Sequence, residues 1–199
     1  LETAIQKVVI DTTAPTAGVL QLTDFTDTGI SATDQISQDK SFTLALTGQE
    51  SNTTITYLMS KDNGQTWTET TVNQADLVDG SYQFKAVVID AAGNRSETEI
   101  QKVVIDTTAP VAGILQLADF TDTGISATDQ ISQDKSFTLQ LAQPIMIGEQ
   151  VAFLDHFEVS TDNGQTWNIT DAEQTDLVDG TYQFKGVVTD AAGNHAETI

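Results

Sequence analysis

The sequence predicts an all-β molecule made of two tandem antiparallel sandwiches joined by a short stiff linker, and three observations predict it. The run Val8-Val9-Ile10-Asp11-Thr12-Thr13-Ala14-Pro15 returns letter for letter at residues 103–110. Short segments alternate apolar and polar residues, the period of a half-buried strand. No stretch reads as a long amphipathic helix, and residues 73–77 could form one turn at most.

The repeated run is a joint. Its β-branched front half ends a strand, and Asp-Thr-Thr-Ala-Pro cannot continue a ladder, because proline has no amide donor and restricts the residue before it. Asp11 returns as Asp106, 95 residues on, a spacing that fits whole domains and not the small units of a solenoid. Repeat 1 is assigned to residues 11–105 and repeat 2 to 106–199, each large enough to bury its own core. Residues 2–10 match 97–105, and residues 1–10 are expected to be the last strand of a preceding repeat. Repeat 2 stops before the matching strand, so the chain reads as a piece of a longer array.

Within repeat 1, residues 18–22 and 40–46 are apolar-rich runs flanking an aspartate-rich turn region. Phe42, Leu44 and Leu46 alternate with Thr43 and Ala45, and Ile55, Tyr57 and Met59 alternate in turn. Asp62-Asn63-Gly64 then supplies residues that tolerate positive φ in a hairpin turn. Trp67 follows and is expected in or near the core. Tyr82, Phe84, Ala86 and Val88 form a further strand, ended by Asp90-Ala91-Ala92-Gly93-Asn94, and the last strand runs to Ile105. A tyrosine just after Asp79-Gly80, at the start of the penultimate strand, matches the tyrosine corner of immunoglobulin-like sandwiches, with Phe84 where an antibody domain carries cysteine. Repeat 2 copies the plan but gains five residues between Leu141 and Phe157, in an unusually apolar connection.

Charge excludes several functions. Asp and Glu number 29 against 8 Lys and Arg, a formal net charge of −21 that repels nucleic acid and anionic lipid. Solubility accounts for such charge without a specific role, but many of the aspartates recur at turn positions. Cysteine is absent, which removes disulfides and thiolate metal sites. No run approaches the ~20 apolar residues of a membrane span, so membrane insertion is not expected. His156 and His195 have no counterparts in repeat 1 and read as surface residues. No nucleophile elbow, phosphate loop or dinucleotide fingerprint is present, so no enzymatic activity is expected.

Ile-Asp-Thr-Thr-Ala-Pro at each domain start, Asp-Thr-Gly-Ile-Ser-Ala-Thr-Asp, Asp-Asn-Gly-Gln-Thr-Trp and Asp-Ala-Ala-Gly-Asn occur in fixed order and in duplicate. Together they resemble the bacterial immunoglobulin-like repeats of giant surface adhesins, the biofilm-associated and RTX-type proteins exported by type I secretion. The resemblance covers nearly the whole chain. It implies an extracellular, cell-surface extender that carries a distal adhesive domain, with neighbouring repeats of the same chain as partners and calcium stiffening the joints.

Calcium takes about six to eight oxygen ligands. No EF-hand spacing is present, so a site would be assembled from separate loops. In an immunoglobulin-like topology the chain start and the turn before the last strand share one pole, and the turn after the first strand and the chain end share the other. Asp106 is therefore expected near Asp190 and Asn194, facing Asp27 and Asp34 of the preceding repeat. The same logic gathers Asp11, Asp90 and Asn94 at the front of repeat 1, and Asp122 with Asp129 at the far end. Carboxylates so crowded repel unless a cation neutralises them. The competing reading is that these residues only shape Asx-type turns, and for Asp62-Asn63-Gly64 and its copy at 162–164 the hairpin alone explains them.

A different function, a glycan- or protein-binding module, would use the apolar segment 145–154 with Trp67 or Trp167; a spacer should bury such side chains and a binding patch should expose them. The spare strand at residues 1–10 and the incomplete repeat 2 also suggest head-to-tail strand exchange between molecules.

Overall fold

The computed structural model describes residues 4–142, 146–147 and 150–198, with the side chains of 146, 147, 150 and 151 left aside. The chain forms two compact units, one of residues 1–27 and 33–106, the other of 28–32 and 107–199. All regular structure among the described residues is β.

In the first unit the strands are β1 (Val19–Thr23), β2 (Ile36–Ser37), β3 (Phe42–Thr47), β4 (Thr54–Ser60), β5 (Thr68–Thr70), β6 (Asn73–Gln74), β7 (Gly80–Ile89), β8 (Arg95–Glu97) and β9 (Gln101–Ile105). They make a three-stranded sheet β1-β3-β6 and a six-stranded sheet β2-β9-β7-β4-β5, with β8 also on β7. Pairing is antiparallel except between β2 and β9. After β1 the chain leaves the first sheet, and β2 joins the second alongside β9, with Ile36 opposite Val104 and Ser37 opposite Ile105.

The predicted alternation builds the core. Leu20, Phe42, Leu44, Tyr82, Phe84, Val103 and Ile105 form one buried cluster, with Phe25, Tyr57, Met59 and Leu77 against it. Phe42 meets Phe25 and Phe84 edge-on, at centroid distances of 5.7 and 5.5 Å. β7 lies between β9 and β4 and buries residues of both faces, including Gln83 and Val87. Strict alternation is a property of strands wet on one face, so this central strand departs from it. The segment 73–77, read as capable of one helical turn at most, gives β6, with Asp76 at a φ of 53° and Leu77 packed on the core.

The second unit repeats the plan: β10 (Ile114–Ala118), β11 (Phe137–Ala142), β12 (Met146–Ile147), β13 (Gln150–Val151), β14 (Phe153–Ser160), β15 (Asn168–Thr170), β16 (Glu173–Gln174), β17 (Gln183–Thr189) and β18 (His195–Glu197). Its sheets are β10-β11-β16 and β15-β14-β17-β18. Within the longer connection β12 pairs with β13, Met146 opposite Val151 and Ile147 opposite Gln150. Ile145, Gly148 and Glu149 of that insertion lie outside the described residues.

Both tyrosine corners form, Tyr82 Oη donating to the Val78 carbonyl at 2.8 Å and Tyr182 Oη to Val178 at 3.0 Å. The hairpin turns form as read, with Asn63 and Gly64 at φ of 57° and 85°. Trp67 is not a core residue. Its ring lies half-buried on the sheet surface beneath Lys85, whose Nζ stands 4.5 Å from the ring centroid, and its indole donates to Gly64. Trp167 and Lys185 repeat the arrangement at 4.5 Å. The tryptophan follows a tight turn at the outer edge of its sheet, where the indole N–H finds a carbonyl and the ring face a cation.

Candidate functional site

The loop between β1 and β2, whose residues 28–32 group with the second unit, is densely cross-linked by polar bonds. The Asp27 carboxylate accepts the Gln35 amide through Oδ2 at 2.9 Å, and Asp34 Oδ1 accepts the Ile36 amide at 3.1 Å. Asp39 Oδ2 accepts the Thr26 amide at 2.8 Å, while the Ser37 hydroxyl donates to the Thr26 carbonyl at 2.6 Å. Gln35 is held at a φ of 59°, a left-handed conformation that costs a non-glycine residue about 1–2 kcal/mol. The Asp27 and Asp34 carboxylates, bonded on either side of it, stabilise that turn.

The second unit reproduces the loop. Asp122 Oδ2 accepts the Gln130 amide at 2.9 Å, Asp129 Oδ1 the Ile131 amide at 3.1 Å, and Asp134 Oδ2 the Thr121 amide at 2.8 Å. Gln130 has a φ of 57°. The amide of Thr121, and after it that of Ser136, hold the Asp134 carboxyl below the usual range.

One oxygen in each loop stands apart. Asp27 Oδ1 and Asp122 Oδ1 are buried with no hydrogen-bond partner. A buried carboxylate oxygen left unpaired costs the desolvation of that atom, and the same cost appears at the same place in both repeats. Nothing in the turn geometry requires it, since Oδ2 already accepts the amide bond.

At the opposite pole of the first unit, Asp11, Asp90 and Asn94 do come together. Asn94 Nδ2 donates to the Asp11 carbonyl at 3.2 Å and to Asp90 Oδ2 at 2.8 Å. Asp90 Oδ1 accepts the amides of Ala92 and Asn94, both at 2.9 Å, and the Asn94 side chain is the main cause of its lowered pKa. Asp11 Oδ1 accepts the Thr13 amide at 3.0 Å. These two carboxylates are engaged as turn caps. In the second unit Asp190 and Asn194 make the same contacts, Asn194 giving its amide to Oδ1 at 2.9 Å and Nδ2 to Oδ2 at 3.0 Å, with both residues buried. Asp106 lies beside the β1–β2 loop of the first unit, its amide donating to the Ser37 carbonyl at 2.9 Å.

The donors suit calcium in kind, being oxygens with one buried and unpaired per loop. Among the described residues, however, no group of three or more His, Cys, Asp or Glu side chains is placed to hold a metal ion. A coordination shell at either loop would therefore need backbone or amide oxygens beyond its carboxylates. Sequence reading missed Asp39, Asp134 and the left-handed glutamines. The recurrence of Ile-Ser-Gln-Asp-Lys-Ser after each loop was the available signal.

A family model for the bacterial Ig-like domain matches residues 13–107 and again residues 108–199. The chain belongs to the bacterial Ig-like domain family. Fibronectin(III)-like modules of CbhA from Clostridium thermocellum are similar over 90% of this chain and 92% of theirs, at 12% identity and a TM-score of 0.34. No curated protein matches the chain. Among the described residues of these two Ig-like domains, His156 lies between Asp155 and Glu158, each at 3.2 Å, and His195 Nδ1 is 2.8 Å from the Thr189 hydroxyl. Both histidines are tied to polar neighbours on their own sheet, and neither is brought to a serine nucleophile by these contacts.

Proposed function

We propose that this chain is a pair of extender repeats from a large bacterial cell-surface adhesin, extracellular and non-enzymatic, whose function is to set length and stiffness. Neighbouring repeats and a distal adhesive domain would be its partners, and calcium the ion that stiffens the joints. The observation that carries the reading is the buried, unpartnered oxygen of Asp27, recurring at Asp122. In a chain of net charge −21 that cost is offset most directly by a cation. Asp27, Asp34, Asp106, Asp190 and Asn194 would supply the ligands of the joint held within this chain. Asp11, Asp90 and Asn94, and at the far end Asp122 and Asp129, would supply parts of the flanking ones.

The test is small-angle scattering with calcium and after chelation, at constant ionic strength so that screening is not mistaken for binding. Chelation is expected to broaden the interdomain distance distribution, and Asp27→Asn to reproduce that change with calcium present. Superimposed curves would make the aspartates turn residues only.

A second reading, a glycan- or protein-binding module, is favoured by Phe153 and Leu154, which are 52% and 44% exposed beside the inserted hairpin. Binding that survives chelation and is lost in Phe153→Ala would support it over the spacer.

A further inference from the structure

We infer that residues 28–32, carried on the β1–β2 loop of the first repeat, are a docking element for the Asp190–Asn194 turn, and that Thr28 and Gly29 specify the match. What they recognise is the backbone of an Ala-Ala turn in an Ig-like domain. Residues 28–32 belong to the second unit, although the chain on both sides of them, up to Asp27 and from Thr33, belongs to the first. Two contacts hold them there. The Thr28 hydroxyl donates to the Ala192 carbonyl at 2.6 Å. Gly29, at a φ of 94°, lies so close to the same turn that a Cβ on it would overlap the Ala191 carbonyl oxygen and stand 2.7 Å from the Ala192 carbonyl carbon. Each atom so met is backbone, which cannot swing aside as the end of a side chain can, so the position admits only glycine.

The turn beneath is built alike in both units. Asp190-Ala191-Ala192-Gly193-Asn194 repeats the sequence of Asp90-Ala91-Ala92-Gly93-Asn94, and the Gly193 amide donates to the Asp190 carbonyl at 3.1 Å as the Gly93 amide does to Asp90 at 3.2 Å. Burial is not alike. Ala192 is 0% exposed and Asp190 and Asn194 are buried, whereas Ala92 is exposed. Identical sequence and identical internal bonds cannot produce that difference, so the burial of Ala192 comes from what lies on the turn. Thr28 and Gly29 lie on it.

Gly124 shows what Gly29 adds. It holds the matching place in the second unit's own loop, at a φ of 101°, and a Cβ on it would meet nothing nearer among the described residues than the Ile131 carbonyl oxygen at 4.0 Å. Both glycines carry the same conformational penalty against substitution, and only Gly29 adds a steric demand. Since a hydroxyl and a bare stretch of backbone make the contact, the element reads the shape of the turn and not its carboxylates. It therefore stands whether or not calcium binds Asp27, Asp190 and Asn194.

Amide hydrogen exchange followed by NMR, with a chelator present throughout, tests the contact apart from the calcium reading. In the parent chain the amides of Asp190, Gly193 and Asn194 are expected to exchange several-fold more slowly than those of Asp90, Gly93 and Asn94, which have the same hydrogen-bond partners. Gly29→Ala should abolish that difference, and Gly124→Ala should leave it intact. Thr28→Val, which removes the donor and keeps the shape, should reduce the difference, whereas Thr28→Ser should preserve it. Equal exchange in the two turns of the parent, protection that survives Gly29→Ala, or an equal loss in Gly124→Ala would overturn the proposal.

Discussion

The two units share a plan and differ in closure. β7 runs ten residues with Tyr82 and Phe84 fully buried, whereas β17 runs seven and leaves Tyr182 and Phe184 partly exposed. Yet the aromatic contacts are nearly the same, Phe42 to Phe84 and Phe137 to Phe184 both at 5.5 Å. These aromatic contacts between the two sheets are therefore kept with or without a strand like β9 beside them. Exclusion of water is set by the strand beside β7, β9 in the first unit, which lays Val103 and Ile105 over the same cluster.

The largest test of this difference is truncation at the shared aromatic position. Phe84→Ala should cost about 3–5 kcal/mol, the range for removing a fully buried ring. Phe184→Ala should cost clearly less, because its ring already meets water in the folded state. Urea unfolding in single-tryptophan backgrounds, reading Trp67 or Trp167, separates the two. Equal costs would mean that β9 contributes little to closure.

A smaller effect reverses the order of the units. Lys185 bridges Glu158 at 3.0 Å and Glu197 at 2.9 Å, whereas Lys85 has Glu97 at 2.8 Å and Leu58 where Glu158 would stand. The hydrogen bond that Lys185 donates to the Glu197 carboxylate is the leading reason that its pKa is raised. Lys185→Ala should cost about 1 kcal/mol and Lys85→Ala a fraction of that, both shrinking in salt. The same unfolding curves at low and high ionic strength check it.

The smallest effect should be equal in both units. Asp62 and Asp162 are lowered from 3.8 to about 2, chiefly by the hydroxyls of Thr66 and Thr166, which lie 2.5 and 2.6 Å away. A carboxyl with a depressed folded-state pKa contributes stability above its unfolded value, and that contribution is lost as pH falls from 3.8 through about 2. Thr66→Val should move the Asp62 titration, followed by carboxyl NMR, up towards 3.8 and leave Asp162 unchanged. A shift in both would mean that the turns are coupled.

Much of this was legible in the residues themselves. The 95-residue repeat, the alternation of Phe42, Leu44 and Leu46, the Asn-Gly turns and the tyrosine corner are local or periodic features, and local geometry expresses them directly. The grouping of Asp11 with Asn94 followed from topology and was also readable. The place of Trp67 was not, because an indole after a hairpin can turn inward or lie flat, and only the position of Lys85 across the sheet decides which. The parallel pairing of β2 with β9 and the unpaired oxygen of Asp27 belong to the same class. Each depends on segments 68 residues apart, as Ile36 and Val104 are, or on burial by the surrounding fold, and neither leaves a periodic mark in the sequence. Sequence alone determined the number of domains, their sheets and their turns, because those are encoded by short-range pattern. Tertiary structure alone decided where the indole of Trp67 lies and which carboxylate oxygen goes without a partner, because both depend on what the rest of the chain places beside them.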